Sequence, residues 1–334
     1  MISRREFVRD MAVAGAASAL GMSRNVFAAE PPPETTRIRL GLSPAICFAP
    51  MFVAGEGLLQ AEGLTDIVYM PPDPLGNTAV SVTEGVADFG ATDACTLLFN
   101  LDKDARFVVL GGVHSGCYEL FATDKVRSIR DLKGRSVAIP GLHSGRHLTL
   151  SAMLAHVGLD PRKDVNWVNY PAPESMRLLA EGKIDAFLGF PPEPQELRAK
   201  KIGRLIMSMT TDRPWSEHYC CMIIGRRDYV KANPVATKRA LRAILKAAAI
   251  CTSEPERATR MLVERKLTDK YEYALQMMKE LPYSRWREYD PANTLRFYAL
   301  RLHEAGLIKS TPQKLIAQGA DFRFLNELKK ELKG

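Results

Sequence analysis

The chain has 334 residues, 46% apolar and 25% charged, enough for two cores, because a single core stops growing near about 250–300 residues. No run approaches the roughly 18–20 apolar residues of a membrane span. The net charge of +8 comes from bases mixed with acids and not from a basic block interleaved with aromatics, so nucleic acid is excluded as a partner.

In chain order, Ser3-Arg4-Arg5-Glu6-Phe7-Val8 opens the sequence, and a weakly apolar segment from Met11 to Met22 follows. Val26-Phe27-Ala28 then offers small residues for cleavage after Ala28. This text resembles a twin-arginine export signal over residues 1–28, with the mature chain in the periplasm. Removing it takes four bases and two acids, so the formal charge falls from +8 to +6.

Ile38 to Leu42 reads as a first strand, Pro50 to Leu59 as a helix, and Ile67 to Met70 as a second strand. Ala79 to Val86 is helical, and Phe89 to Ala91 and Phe107 to Leu110 are two more strands. The pattern restarts with the strand Ser136 to Ile139, a Gly-rich turn, and a helix whose Leu150, Met153, Leu154 and Val157 form one apolar stripe. Val165–Tyr170, Ile184–Leu188 and Ile202–Met207 complete this second series of strands, with a helix over Glu174–Ala180. Strands alternating with helices imply parallel α/β sheets.

The two series echo each other. Glu84-Gly85-Val86-Ala87-Asp88 and Glu181-Gly182-Lys183-Ile184-Asp185 each close a helix and launch a strand. Gly41-Leu42-Ser43 and Gly141-Leu142-His143 each leave a strand for a helix at nearly the same offset. Two related lobes are therefore expected: 36–125 as the first part of lobe one, 126–212 as lobe two, and 213–334 as the return and the rest of lobe one. Tyr219 to Ile224 reads as the returning segment, and the helical tail beyond Asn233 is expected to pack on lobe one.

Chemistry concentrates in the strand-to-helix turns, since open α/β sheets hold ligands at the carboxyl ends of their strands. Pro140-Gly141-Leu142-His143-Ser144-Gly145-Arg146-His147 lacks the Lys of a phosphate loop and the first Gly of a nucleophile elbow. Its helix start instead offers free N–H groups and a positive dipole end, with Arg146 a candidate partner for a carboxylate or sulfonate. Capping by Ser144 is the plainer role. His-Ser-Gly occurs at both 114–116 and 143–145, which would put His114, Ser115, His143 and Ser144 on two sides of one cleft. Ser43, Thr92, Asp93 and Glu193 sit in equivalent loops, and Phe48, Phe190 and Trp215 are candidate apolar walls.

Six cysteines, Cys47, Cys95, Cys117, Cys220, Cys221 and Cys251, fit no paired CxxC spacing. They read first as buried free thiols, with one or two disulfides as the alternative. A set of His114, Cys117, His143 and His147 has no supporting metal-ligand spacing, so no metal and no cofactor are assigned.

The stretches Gly41–Leu59, Glu84–Asp93 (EGVADFGATD), IRDLKGRSVAIPGLHSG from Ile129 and AEGKIDAFLGFPPEPQEL from Ala180 resemble the periplasmic substrate-binding proteins of ABC importers. The similar branch is the one covering nitrate, sulfonate, taurine and thiamine-pyrimidine precursors. The resemblance implies a type II periplasmic-binding-protein-like α/β fold, with two lobes joined by a two-segment hinge and helices packed on lobe one. It also implies a monomer that captures a small solute between the lobes and delivers it to an inner-membrane permease, without catalysis. Phe48, Phe190 and the two His-Ser-Gly turns point to an organic, anionic solute, aromatic or sulfonated. An enzyme similar to the thiamine-pyrimidine synthases is the alternative on the same fold, but their run of three Cys is missing at Cys220-Cys221.

Overall fold

A computed structural model describes residues 30–43, 45–71, 77–103 and 106–332, and the export-signal reading of residues 1–28 lies outside them. The first four strands are β1 (Arg37–Gly41), β2 (Asp66–Met70), β3 (Phe89–Asp93) and β4 (Phe107–Ser115). They are followed by β5 (Glu119–Ala122), β6 (Ser136–Ile139), β7 (Asn166–Asn169), β8 (Ala186–Gly189) and β9 (Arg204–Ser208), and last by β10 (Tyr219–Arg226). They form two five-stranded sheets on one plan, β2-β1-β3-β10-β4 and β7-β6-β8-β5-β9.

Neither sheet is wholly parallel, as the alternation of elements had implied. In the first, β10 runs antiparallel to β3 and β4, with Cys221 opposite Asp93 and Ile223 opposite Ala91. In the second, β5 runs antiparallel to β8 and β9, with Leu120 opposite Leu188. Each antiparallel strand is the first element after a crossing between the sheets. The chain leaves the first sheet at Ser115, passes through Gly116–Tyr118, and enters the second at Glu119. It returns through Met209–His218, so Tyr219–Arg226 is an interior strand of the first sheet and not a connecting segment.

Burial follows from this plan. Every residue of β4 is buried, as are all but the last of β10. β10 lies inside the sheet, and the edge strand β4 is covered by the C-terminal helices Pro312–Gly319 and Arg323–Glu331, with the Asp321 N–H donating to its Val109 carbonyl. The helix Gly145–His156 buries Leu148, Leu150, Met153 and Leu154, while Val157 is its C-cap. Gly158 then takes φ +83°, the left-handed conformation that ends a helix without a Cβ penalty.

The tail is helical as read, but it touches both lobes. Pro234–Ser253 packs on the helix Ala49–Val53, while Pro291–Glu304 contacts both Ala94–Leu101 and Gly145–His156. Glu280 pairs with Arg198 at 2.6 Å and accepts from Gln195 at 2.9 Å, both on the lobe-two helix Glu193–Ala199. Lys270 pairs with Glu196 of the same helix. All six cysteines are buried free thiols. Among the described residues no helix is long and apolar enough to cross a membrane.

Candidate functional site

The turns that leave β1, β3, β6 and β8 meet at the carboxyl ends of their strands and enclose a cavity of about 390 Å³. Ser43, Phe48, Thr92 and Asp93 line it from the first sheet's side, and His143, Ser144, Arg146, Phe190 and Glu193 from the second's. The sequence therefore found both walls. Its size falls in the range of about 300–1,000 Å³ typical of pockets that hold organic ligands.

Three expected residues lie elsewhere. His114 and Ser115 are on β4 behind the cavity: the His114 ring meets Tyr283 edge-on at 4.9 Å, and Ser115 Oγ hydrogen-bonds Tyr289 Oη at 2.8 Å. They are 0% and 1% exposed, because the segment Tyr283–Arg287 and Tyr289 pack over this end of the edge strand. Trp215 belongs to an aromatic cluster with Phe297, Tyr298 and His156. Its position in the return crossing places it under the tail helix and not in the cleft.

The turn after β6 is a capped helix start and a cleft wall at once. Ser144 Oγ accepts the backbone N–H of His147 at 3.4 Å, so the plain capping role holds without removing Ser144 from the lining. His143 sits at φ +65° and its N–H donates to His147 Nδ1 at 3.2 Å. Its ring stacks on Phe99 of the lobe-one helix Ala94–Leu101, with centroids 4.8 Å apart, and so closes one edge of the cavity. Burial, and then the His143 ring, push His147 down from 6.5 to about 4, so it is neutral near pH 7.

Arg146 is not a bare cation. Glu193 binds it through two bonds of 2.5 and 2.8 Å, and Leu188 carbonyl accepts a third at 2.9 Å. The Glu193 carboxylate also accepts the Phe190 N–H at 2.9 Å, which fixes the β8 turn and the β6 turn to each other. Burial works against the guanidinium charge, but the Glu193 carboxylate outweighs it and raises the pKa further. A bidentate pair of this kind is stiff.

Opposite it, Asp93 caps the helix Ala94–Leu101 by accepting the Thr96 N–H at 2.9 Å. Burial raises the Asp93 pKa, and the bonds from Thr96 only partly oppose this. Thr96 Oγ1 is buried at the cavity beside Asp93. Gly145 closes the gap: a Cβ there would lie 2.7 Å from Asp93 Oδ2 and 2.8 Å from Tyr118 Oη. The glycine is what lets the two lobes approach.

Asn77, Thr96 and Tyr118 also line the cavity and were not singled out from the sequence. Thr96 was within reach, being the third residue after a strand-end Asp. Tyr118 was not, because its place depends on where the chain leaves the first sheet.

Residues 46–258 match the family model described as NMT1/THI5 like. The chain is 25% identical over 254 residues to the nitrate/nitrite binding protein NrtA of Nostoc sp. strain PCC 7120, covering 68% of this chain and 57% of that protein. It thus spans little more than half the length of that curated relative. In fold it is similar to the periplasmic nitrate-binding protein NrtA from Synechocystis PCC 6803, with a TM-score of 0.72, 16% identity, and coverage of 91% of this chain and 90% of the other. The alkanesulfonate-binding protein SsuA from Xanthomonas axonopodis pv. citri, bound to MOPS, gives a TM-score of 0.66 at 18% identity, covering 88% of this chain and 100% of the other. With two sheets on one plan around a ligand-sized cleft, and a family match over most of its length, the chain belongs to the NMT1/THI5-like family of the periplasmic-binding-protein-like fold.

Proposed function

We propose that this protein is the solute-binding component of an ABC import system, working in the periplasm as a monomer. It takes a small organic anion with an apolar or aromatic body into the interlobe cleft and hands it to an inner-membrane permease. The observation that carries this reading is the cleft itself. Both of its walls come from strand-end turns, its volume is about 390 Å³, and Phe48, Phe190 and Tyr118 give it apolar surface beside polar hydrogen-bonding groups. Ser144 serves as a cap and His147 Nδ1 accepts the His143 N–H, which supports a binding turn over a nucleophile with its base.

The anionic group is received by the start of the helix Gly145–His156, whose dipole end favours negative charge. Asp93, its pKa raised by burial, lines the opposite wall. The nitrate and alkanesulfonate relatives support an anion, and the size of the cavity supports an organic one over a four-atom ion.

Mass spectrometry of small molecules released from freshly purified protein, followed by thermal-shift assays with carboxylates, alkyl and aryl sulfonates and nitrate, tests the reading. Stabilisation by an organic acid without turnover is the expected result. Tight nitrate binding with no organic ligand, or turnover of a solute, overturns it. Asp93→Asn, which removes any carboxylate charge from that wall, is expected to hold or tighten capture of an anion, and a loss of capture would count against an anionic solute. Arg4→Lys with Arg5→Lys is expected to abolish export, as read by cell fractionation.

A further inference from the structure

Behind the cleft, Cys47, His114, Cys117 and Cys221 converge from four separate segments. Cys47 lies in the short turn Ile46–Phe48, His114 on β4, Cys117 in the first crossing and Cys221 on β10. None is more than 3% exposed, and one potential ligand atom from each lies within 4.8 Å of all the others.

The spacing is that of a coordination shell. Cys47 Sγ is 3.8 Å and Cys117 Sγ 3.5 Å from Cys221 Sγ, and Cys117 Sγ is 3.8 Å from His114 Nε2. A tetrahedral zinc ion with Zn–S of about 2.3 Å and Zn–N of about 2.0–2.1 Å has S···S edges of about 3.8 Å and S···N edges of about 3.6 Å. His114 Nδ1 donates to the Ser115 carbonyl at 2.9 Å, which leaves the Nε2 lone pair for a metal, as outer partners of ligating histidines do. Cys117 is held at φ +112°, where an L residue is strained and persists only when its surroundings fix it.

We infer that Cys47, His114, Cys117 and Cys221 form a closed site for one Zn²⁺ ion, which clamps the first crossing and β10 to the floor of the cleft. Three thiolates and an imidazole suit a tetrahedral ion with no open position, and such a closed set is structural, not catalytic. The position gives the clamp a consequence. Cys47 immediately precedes Phe48 and Cys117 immediately precedes Tyr118, and both of those side chains line the cleft. Cys220, next on β10, borders the cluster, its Sγ 3.8 Å from Cys221 Sγ, and also packs beside Cys95, Thr149 and Tyr298. Paired CxxC spacing does not reveal the site, because each donor arrives on a different element.

The full chain, purified without chelator from zinc-containing medium, is expected to carry one zinc per chain by elemental mass spectrometry and to release it on denaturation. Cys117→Ser and Cys221→Ser lose the metal, while Cys251→Ser, a buried thiol outside the cluster, keeps it. Should the cluster variants fail to fold, unaltered chain refolded with Co²⁺ alone still decides. It is expected to show thiolate-to-cobalt charge transfer with the intensity of three thiolates and the visible bands of a tetrahedral ion. Chain without stoichiometric zinc, copper in place of zinc, a disulfide among the cluster cysteines in fresh protein, or cobalt spectra without thiolate bands each overturn the site.

Discussion

His114-Ser115-Gly116 and His143-Ser144-Gly145 are the same tripeptide in two environments. The first ends β4, an edge strand that the C-terminal segments cover, and its His and Ser are fully enclosed. The second follows β6 and opens a helix whose first turn faces the cleft. The side chains are identical, so the difference belongs to the elements that carry them. A strand end covered by other segments spends its polar groups on its neighbours, whereas a strand-to-helix turn leaves them for a ligand.

The largest expected effect is on the second copy's neighbour. Arg146→Met leaves the half-buried Glu193 carboxylate without its cation, which costs about 3 kcal/mol. In Arg146→Met/Glu193→Met the charge is gone from both sides, and most of that stability returns. Urea unfolding of the two variants checks this, and a double variant no better than the single removes the ion pair from the account.

The histidines should separate next. His114→Ala opens a hole in a closed interior and takes one ligand from the inferred zinc site, with a loss of about 3 kcal/mol or more. His143→Ala, at the rim, should stay within about 1 kcal/mol. Equal losses would erase the distinction between the two copies. The cleft copy also carries an acid sensitivity through His147. Its pKa is about 4 when folded against 6.5 unfolded, so the unfolded chain binds more protons between those values. The stability present above pH 6.5 is therefore lost as pH falls toward 4, by up to about 3 kcal/mol. His147→Gln should flatten that limb of a stability–pH curve.

The glycines sharpen the comparison further. Gly116 sits at φ +83° against Thr210, so Gly116→Ala should cost about 1–3 kcal/mol of stability. Gly145 is helical, but a Cβ there would lie 2.7 Å from Asp93 Oδ2 and 2.8 Å from Tyr118 Oη, so Gly145→Ala should force those cleft side chains to shift and weaken solute capture in calorimetry. The serines give the smallest contrast. Ser144→Ala removes a helix cap worth about 1 kcal/mol, and Ser115→Ala removes a buried bond to Tyr289 worth about 1–2 kcal/mol.

What the sequence determined by itself was local and periodic. The strand-helix alternation gave two lobes, the repeated Glu-Gly-x-x-Asp text marked their kinship, and the strand-end rule located nine cleft residues from Ser43 to Glu193. Periodicity suffices there because each residue's role depends on its own element. What only the tertiary structure decided was which elements meet. The strand Glu119–Ala122 has only four residues and carries no turn signal, yet it completes the second sheet. Its counterpart Tyr219–Arg226 completes the first. Those two insertions bury His114 and Ser115, place Tyr118 on the wall, and bring Cys47, Cys117 and Cys221 together across long separations in the chain. A contact between distant segments has no period to read, so the hinge and the cluster behind it were written only in the fold.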